Sequence, residues 1–231
     1  MSTTLSAADL ADLDRAQERE LLIGNGLGGY TALSPLGAPG RRYHGLLVAA
    51  LQPPVARTVL AGPPMLWART DGDWLPLFSF EMDPGRFSPQ LGAPLHEVAV
   101  GVGGVTKVWG LPVGQLVERQ SAIHGANAVL LTLSLDAAAT SGVDLLLRLT
   151  ATAHDHHDAM VGDLACAESH VDESAQQGSW QMGSSWPAVQ VRCDGGLLSS
   201  DAGVARGLFH RHDAARVEAD RSDYAVPLRW S

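Results

Sequence analysis

Residues 25–48 read NGLGGYTALSPLGAPGRRYHGLLV, and how this stretch is read decides the fold class. Gly24, Gly26 and Gly29 fit the spacing G-x-G-x-x-G, and Leu21 to Ile23 supply an apolar run before it. That pattern would announce an α/β dinucleotide fold only if a helix began at the last glycine and faced a pyrophosphate. The continuation, TALSPLGAPG, breaks helices instead. No Asp or Glu follows until Asp71, so the ribose partner due about 20 residues on is missing. The glycines therefore predict a tight turn with close backbone approach. Arg41, Arg42, Tyr43 and His44 then place two cations and two rings at the mouth of an apolar strand. A shaped turn beside a polar cluster is how recognition surfaces are built on rigid scaffolds. Neighbours on a strand point to opposite faces, so one arginine would face a ligand or neighbouring domain and the other a structural ion pair.

Downstream the chain is a series of short strands with turn signals between them. Met65–Thr70 and Asp73–Phe78 flank Asp71-Gly72, and Glu97–Val102 and Val105–Trp109 flank Gly103-Gly104. Val189–Cys193 and Leu197–Ser200 flank Asp194-Gly195-Gly196 in the same way. Longer strands are expected at Leu116–Ser121, Ala128–Leu135 and Val143–Thr150, the last alternating by face. Pro84 to Pro94 and Ser169 to Pro187 read as irregular, the second as an exposed arm around Trp180 and Trp186. The fold class this predicts is all-β, an antiparallel β-sandwich with a short N-terminal helix.

That helix is expected over Ser6 to Glu20, with Ser6 and Asp9 resembling a capping box and Leu10, Leu13 and Leu21 forming a thin apolar stripe. The organisation expected is a helical leader, residues 1–20, followed by a sandwich over 21–231. Ending on Trp230-Ser231 without a polar fade-out suggests a piece of something longer.

At 231 residues, 45% apolar and 18% charged, the chain can bury a full core. Sixteen basic against 25 acidic residues give a net charge of −9, which disfavours nucleic acid or an anionic membrane as partner and suits a neutral ligand such as a sugar. Cys166 and Cys193 could form one disulfide, but no disulfide scaffold is indicated. The N-terminus carries no signal-peptide pattern and no apolar run reaches 18 residues, so a cytoplasmic protein is expected.

Three constellations invite chemistry. His154-Asp155-His156-His157-Asp158, on a strand, would put His154, His156 and Asp158 on one face, where they could hold a metal or simply pair among themselves at a solvated strand end. Trp180 and Trp186, in a polar loop, could be sugar platforms or core rings. Glu81, Asp83, Glu97, Glu118 and Asp144 are carboxylates available for glycoside hydrolysis, but none stands in a motif that pins a catalytic pair. No catalytic residue, resident metal or cofactor is therefore assigned.

Asn25-Gly26-Leu27-Gly28-Gly29-Tyr30 followed by Arg41-Arg42-Tyr43-His44-Gly45-Leu46-Leu47-Val48-Ala49 resembles the N-terminal signature of bacterial and archaeal glycogen debranching enzymes, the amylo-α-1,6-glucosidases. Arg57-Thr58-Val59-Leu60 after a proline pair fits the same pattern, as does Leu147-Arg148-Leu149 leading into His154-Asp155-His156-His157. Leu21, Gly24 and Gly40 depart from it. The resemblance implies an N-terminal β-supersandwich that packs on a C-terminal (α/α)6 catalytic barrel, with the catalytic carboxylates on the barrel. It implies glycogen or a limit dextrin as the partner glucan. Asn25, Gly26, Gly28, Gly29, Tyr30, Arg41, Arg42, Tyr43, His44, Trp180 and Trp186 are then the candidate substrate- or interface-binding residues. A stand-alone glucan-binding module and a small metal-dependent enzyme using His154–Asp158 remain alternatives.

Overall fold

The computed structural model describes residues 3–136, 142–162, 164, 169–216 and 220–231. Cys166 lies outside them, and Cys193 is a free thiol. From the N-terminus, Thr3–Ser6 (β1) leads into two short helices, Ala7–Leu10 (α1) and Leu13–Gln17 (α2). The single helix expected over Ser6–Glu20 is broken because Asp12 turns its carboxylate back to accept from the Asp14 and Arg15 N–H groups, at 3.0 and 3.3 Å, and starts a new helix. The Ser6–Asp9 pairing does form, Asp9 accepting from the Ser6 N–H at 3.0 Å.

Strands follow almost without interruption: Leu21–Gly24 (β2), Tyr30–Leu33 (β3), Gly45–Gln52 (β4), Val55–Ala61 (β5), Met65–Arg69 (β6), Leu75–Pro76 (β7), Phe80–Asp83 (β8) and Arg86–Ser88 (β9). Then come Leu95–Gly101 (β10), Gly104–Leu111 (β11), Gly114–Ala122 (β12), Val129–Asp136 (β13) and Asp144–Asp155 (β14). Ser169–Asp172 (β15), Gln177–Trp180 (β16), Val189–Arg192 (β17), Leu198–Phe209 (β18), Arg211–Ala214 (α3) and Arg221–Trp230 (β19) complete the chain. All pairings between these strands are antiparallel, and the chain is an all-β sandwich.

One layer is a five-stranded sheet in the order β1-β10-β11-β12-β13. The other is a nine-stranded sheet running β18-β19-β14-β5-β4-β3-β2, with β6 also on β14 and β7 on β6. Strand β14 is long enough to pair with β6 through Asp144–Arg148 and with β5 from Ala151 onward. Its alternation fills two cores. Leu147, Leu149, Ala151 and Ala153 join Trp109, Leu116, Val98 and Val105 between the layers. Thr150, Thr152 and His154 look the other way, towards a second cluster of Phe78, Phe80, Leu208, Tyr224 and Val226. Pro227 sits where the β14–β19 register shifts, a place where a missing N–H costs no ladder bond.

The hairpins at Asp71-Gly72 and Gly103-Gly104 form as expected. The one at Asp194-Gly195-Gly196 does not: β17 pairs with β16 and β18 with β19, so that turn carries the chain from one sheet to another. Pro84 to Pro94 contains a short hairpin partner, β9 on β8. No helix among the described residues is long and apolar enough to cross a membrane.

Candidate functional site

The Gly-rich turn is a clasp between the two layers. Asn25 is buried; its Nδ2 donates to the Ala126 carbonyl at 2.9 Å and to Asn127 Oδ1 at 3.0 Å, while its Oδ1 accepts from the Leu27 N–H at 2.9 Å. Asn127 in turn accepts from the Ala50 N–H at 3.0 Å and donates to the Ala50 carbonyl at 2.8 Å. The β12–β13 loop is thereby tied to β4 through one pair of asparagines. Gly26 lies against the His124 ring, and Gly29 against Asn25, Val48 and Asn127. Gly28 has φ +96°, and a Cβ there would stand 2.5 Å from the Pro54 carbonyl oxygen. Arg57 closes the other side, its Nε donating to the Gly28 carbonyl at 2.8 Å.

Gly28→Ala is therefore expected to cost about 2 kcal/mol, through left-handed strain plus a backbone clash that no rotamer relieves. Gly125→Ala, also at positive φ but with open space around it, should cost only about 1 kcal/mol. Urea unfolding of both variants checks this, and equal losses would remove the clash from the account.

Arg41, Arg42, Tyr43 and His44 form a turn rather than the expected strand end, closed by the His44 N–H donating to the Arg41 carbonyl at 3.0 Å. The opposite-faces argument for the two arginines therefore gives way to turn geometry. Arg41 pairs with Glu20 and lies over the Tyr43 ring, 5.6 Å from its centroid. The buried His44 accepts from the Gly40 N–H on Nδ1 at 3.1 Å, which assigns the proton to Nε2, 3.3 Å from Glu20 Oε1. The hydrogen bond from His44 and then the Arg41 pair hold the Glu20 carboxyl down at about 2. Arg42 is fixed through its backbone N–H, which donates to Asp213 Oδ2 at 2.6 Å. Asn25 and His44 thus make these hydrogen bonds inside the chain.

What the turn does present is a half-buried rim. The Tyr30 hydroxyl donates to the Tyr43 carbonyl at 3.0 Å, and burial raises the pKa of both phenols. Arg57 lies within electrostatic reach of Tyr30, and its carbonyl accepts from the His156 N–H at 3.0 Å. Arg41, Arg42, Tyr43, Tyr30, Arg57 and His156 thus bring rings and guanidinium groups together around this turn and the neighbouring strands β3 and β5.

The 154–158 segment is not a continuous strand. β14 ends at Asp155, so His154 turns inward, buried, with Nδ1 2.8 Å from the Asp155 carbonyl, and does not share a face with His156 and Asp158. The ligand-type atoms that do come within 4.8 Å of one another belong to Asp155, His156 and His157. Burial, and then the neighbouring His157, lower the His156 pKa.

Trp180 is 3% exposed, with its Nε1–H directed at the Leu60 carbonyl at 3.4 Å, so it is a core ring rather than a platform. The exposed arm expected from the Gly, Ser and Gln that dominate this segment is not what forms. Instead β15, β16 and β17 form a small sheet laid over the core, with Gly178 against Leu198 and Leu228. Trp186 is half-buried against the same core, and its carbonyl accepts from Gln181 at 2.7 Å.

Sequence reasoning missed Glu20, His210, His212 and Asp213 as members of this site. Glu20 ends the stretch expected to be helical, with no local sign of its partners. The Arg42–Asp213 contact spans 171 positions, and no local pattern announces it.

Neither a search of curated proteins nor one of solved structures gave a match. The family model described as glycogen debranching enzyme N terminal matches residues 19–231, which takes in the clasp, the rim and every strand but β1; the chain belongs to that family.

Proposed function

We propose that this chain is the non-catalytic N-terminal domain of a glycogen debranching enzyme, packing on an (α/α)6 catalytic barrel and shaping the cleft that accepts the α-1,6-linked stub of a limit dextrin. The observation that supports it is the rim of Arg41, Arg42, Tyr43 and Tyr30, held by a turn locked to Glu20 and Asp213 within a family match covering the sandwich. Rings and guanidinium groups on a rigid turn suit both sugar hydroxyls and barrel loops. Three of the five carboxylates available for hydrolysis make structural contacts, which supports a non-catalytic role. Glu81 pairs with Arg211, Glu118 with Lys107 and Trp109, and Asp144 with Arg69.

Two measurements test this reading. The isolated chain should release no glucose from limit dextrin above a buffer control. In an enzyme carrying both this domain and its barrel, Arg42→Ala should lower kcat/KM for limit dextrin about tenfold, the equivalent of ~1.4 kcal/mol of transition-state stabilisation. Glucose release by the chain alone, or an Arg42→Ala enzyme with wild-type kcat/KM, would overturn it.

A further inference from the structure

The two edges of the five-stranded layer are built differently. β1 closes one with four residues. β13 closes the other with eight, VLLTLSLD over Val129–Asp136, and pairs with β12 in continuous register without a bulge. The outer strands of the nine-stranded layer carry features that discourage strand addition. β2 is four residues long and ends on Gly24, while β18 is interrupted by two register shifts and carries Asp201 and Arg206. β13 has none of these. It contains no Pro, Gly, Lys or Arg, and its one charge, Asp136, stands at its last position.

Backbone geometry identifies the groups this edge leaves over. The Ile123 N–H donates to the Ala128 carbonyl at 2.9 Å, and these residues continue the β12–β13 register as an opposed pair. Along an antiparallel ladder such bonded pairs alternate with unbonded ones. Leu130, Thr132, Ser134 and Asp136 therefore bond to β12, and Val129, Leu131, Leu133 and Leu135 turn their N–H and C=O groups away from it. Among the described residues no strand meets those groups. The side chains of the same four residues pack against the core but stay only partly buried. Leu130, on the other face, is 55% exposed.

We propose that β13 pairs antiparallel with β13 of a second copy of this chain, joining two five-stranded layers into one continuous sheet. The register follows from the leftover groups. Outward-bonding residues must meet outward-bonding residues, and core-facing side chains must meet core-facing ones. The centred arrangement that satisfies both puts a two-fold axis at Thr132. Thr132 then faces its own equivalent, Leu131 faces Leu133 of the copy, and Val129 faces Leu135, each of the last two pairs exchanging both backbone bonds. Charge agrees with this register. Asp136 falls opposite Ala128 of the copy, so the strand pair brings no like charges together although each chain carries −9. The contact is isologous: one rotation satisfies both edges and closes, whereas an unrelated strand would need a matching edge of its own. One strand pair is a small interface, so the dimer is weak and concentration-dependent. Neither the rim nor any glucan enters this argument.

Sedimentation velocity of the chain from about 1 to about 100 μM, which spans a micromolar dissociation constant, is the test. The wild-type chain should pass from monomer to dimer and no further. Thr132→Lys alters an exposed side chain and sets two ammonium groups face to face across the axis. It should weaken dimerisation by about tenfold or more, with the far-UV circular dichroism unchanged. Thr132→Glu mixed with Thr132→Lys in equal amounts should restore the dimer, which a misfolded variant would not do. A wild-type chain still monomeric at the top of the range overturns the proposal. A dimer that Thr132→Lys leaves intact overturns it too, because the contact then lies elsewhere.

Discussion

Arg211→Ala is expected to destabilise the chain by about 3–5 kcal/mol, because it leaves a buried carboxylate without its counter-charge. Glu81 is 1% exposed and accepts a two-pronged contact from Arg211, Nε to Oε2 at 2.7 Å and Nη2 to Oε1 at 2.6 Å. Among the described residues its other partner is the Gly85 N–H at 2.9 Å, one neutral donor for a full charge. The same guanidinium reaches Asp14 Oδ1 at 2.7 Å, so one side chain holds α3, β8 and α2 together across separations of 130 and 197 residues. Those contacts, the Glu81 bond first, raise the arginine pKa and keep the charge in place. Arg211→Lys should lose a large part of the stability, since an ammonium cannot reproduce the planar fork. Arg211→Met combined with Glu81→Met should recover most of it, because removing both charges removes the desolvation cost as well. Urea midpoints at unchanged m-value measure each step. A loss below about 1 kcal/mol for Arg211→Ala would mean the pair behaves like a solvated surface bridge.

This network marks where sequence reading runs out. Local signals specify local structure: Asp71-Gly72 lies in the β6–β7 connection and Gly103-Gly104 at the β10–β11 turn, each with one glycine at positive φ. Asp194-Gly195-Gly196 is an equally good turn, yet its flanking strands pair elsewhere. A turn fixes the direction of the chain, not its partner. Residues Ser6–Glu20 carry a capping box and an apolar stripe, but Asp12 contains a second cap that the stripe concealed. In β14, alternation foretold two faces correctly but not that both would be covered.

The candidate site divides along the same line. Gly26, Gly28 and Gly29 were legible as a special turn because each is needed for close approach, to His124, to Pro54, and to Val48 with Asn127. That the turn's role is to clasp two sheets depends on Asn127, 102 positions from Asn25. The Arg41–His44 cluster was legible as polar and dense, but its partners Glu20 and Asp213 lie 21 and 171 positions from the arginines they hold. Trp180 shows composition misleading outright. A loop rich in Gly, Ser and Gln suggested water, whereas Gly178 is there so that β16 can lie flat on Leu198 and Leu228 and carry the indole into the core.

Lowering the pH from 7 to 5 is expected to cost up to about 2 kcal/mol of stability from His210 alone. His210 is fully buried, and burial, reinforced by His44, His154 and Arg42 nearby, pushes its pKa down to about 3. Asp213 Oδ2 stands 3.7 Å from Nδ1, but it already accepts the Arg42 N–H at 2.6 Å and does not offset the burial. The unfolded chain binds a proton here near 6.5 while the folded chain refuses one until about 3. Between those values the unfolded state holds more protons, so stability falls as pH falls and is fully present above the unfolded value. His154 and His212 are lowered chiefly by burial and act in the same direction. Glu20 adds to the loss only below its unfolded value of 4.5, on the way to about 2. Among the described residues neither ring nitrogen of His210 has a hydrogen-bond partner, so His210→Leu should cost little at pH 7 while flattening the slope between pH 7 and 5. Urea unfolding of both chains across that range is the measurement. Parallel slopes would move the acid sensitivity to the other buried histidines, and a flat wild-type profile would mean that His210 is reached by water in the folded chain.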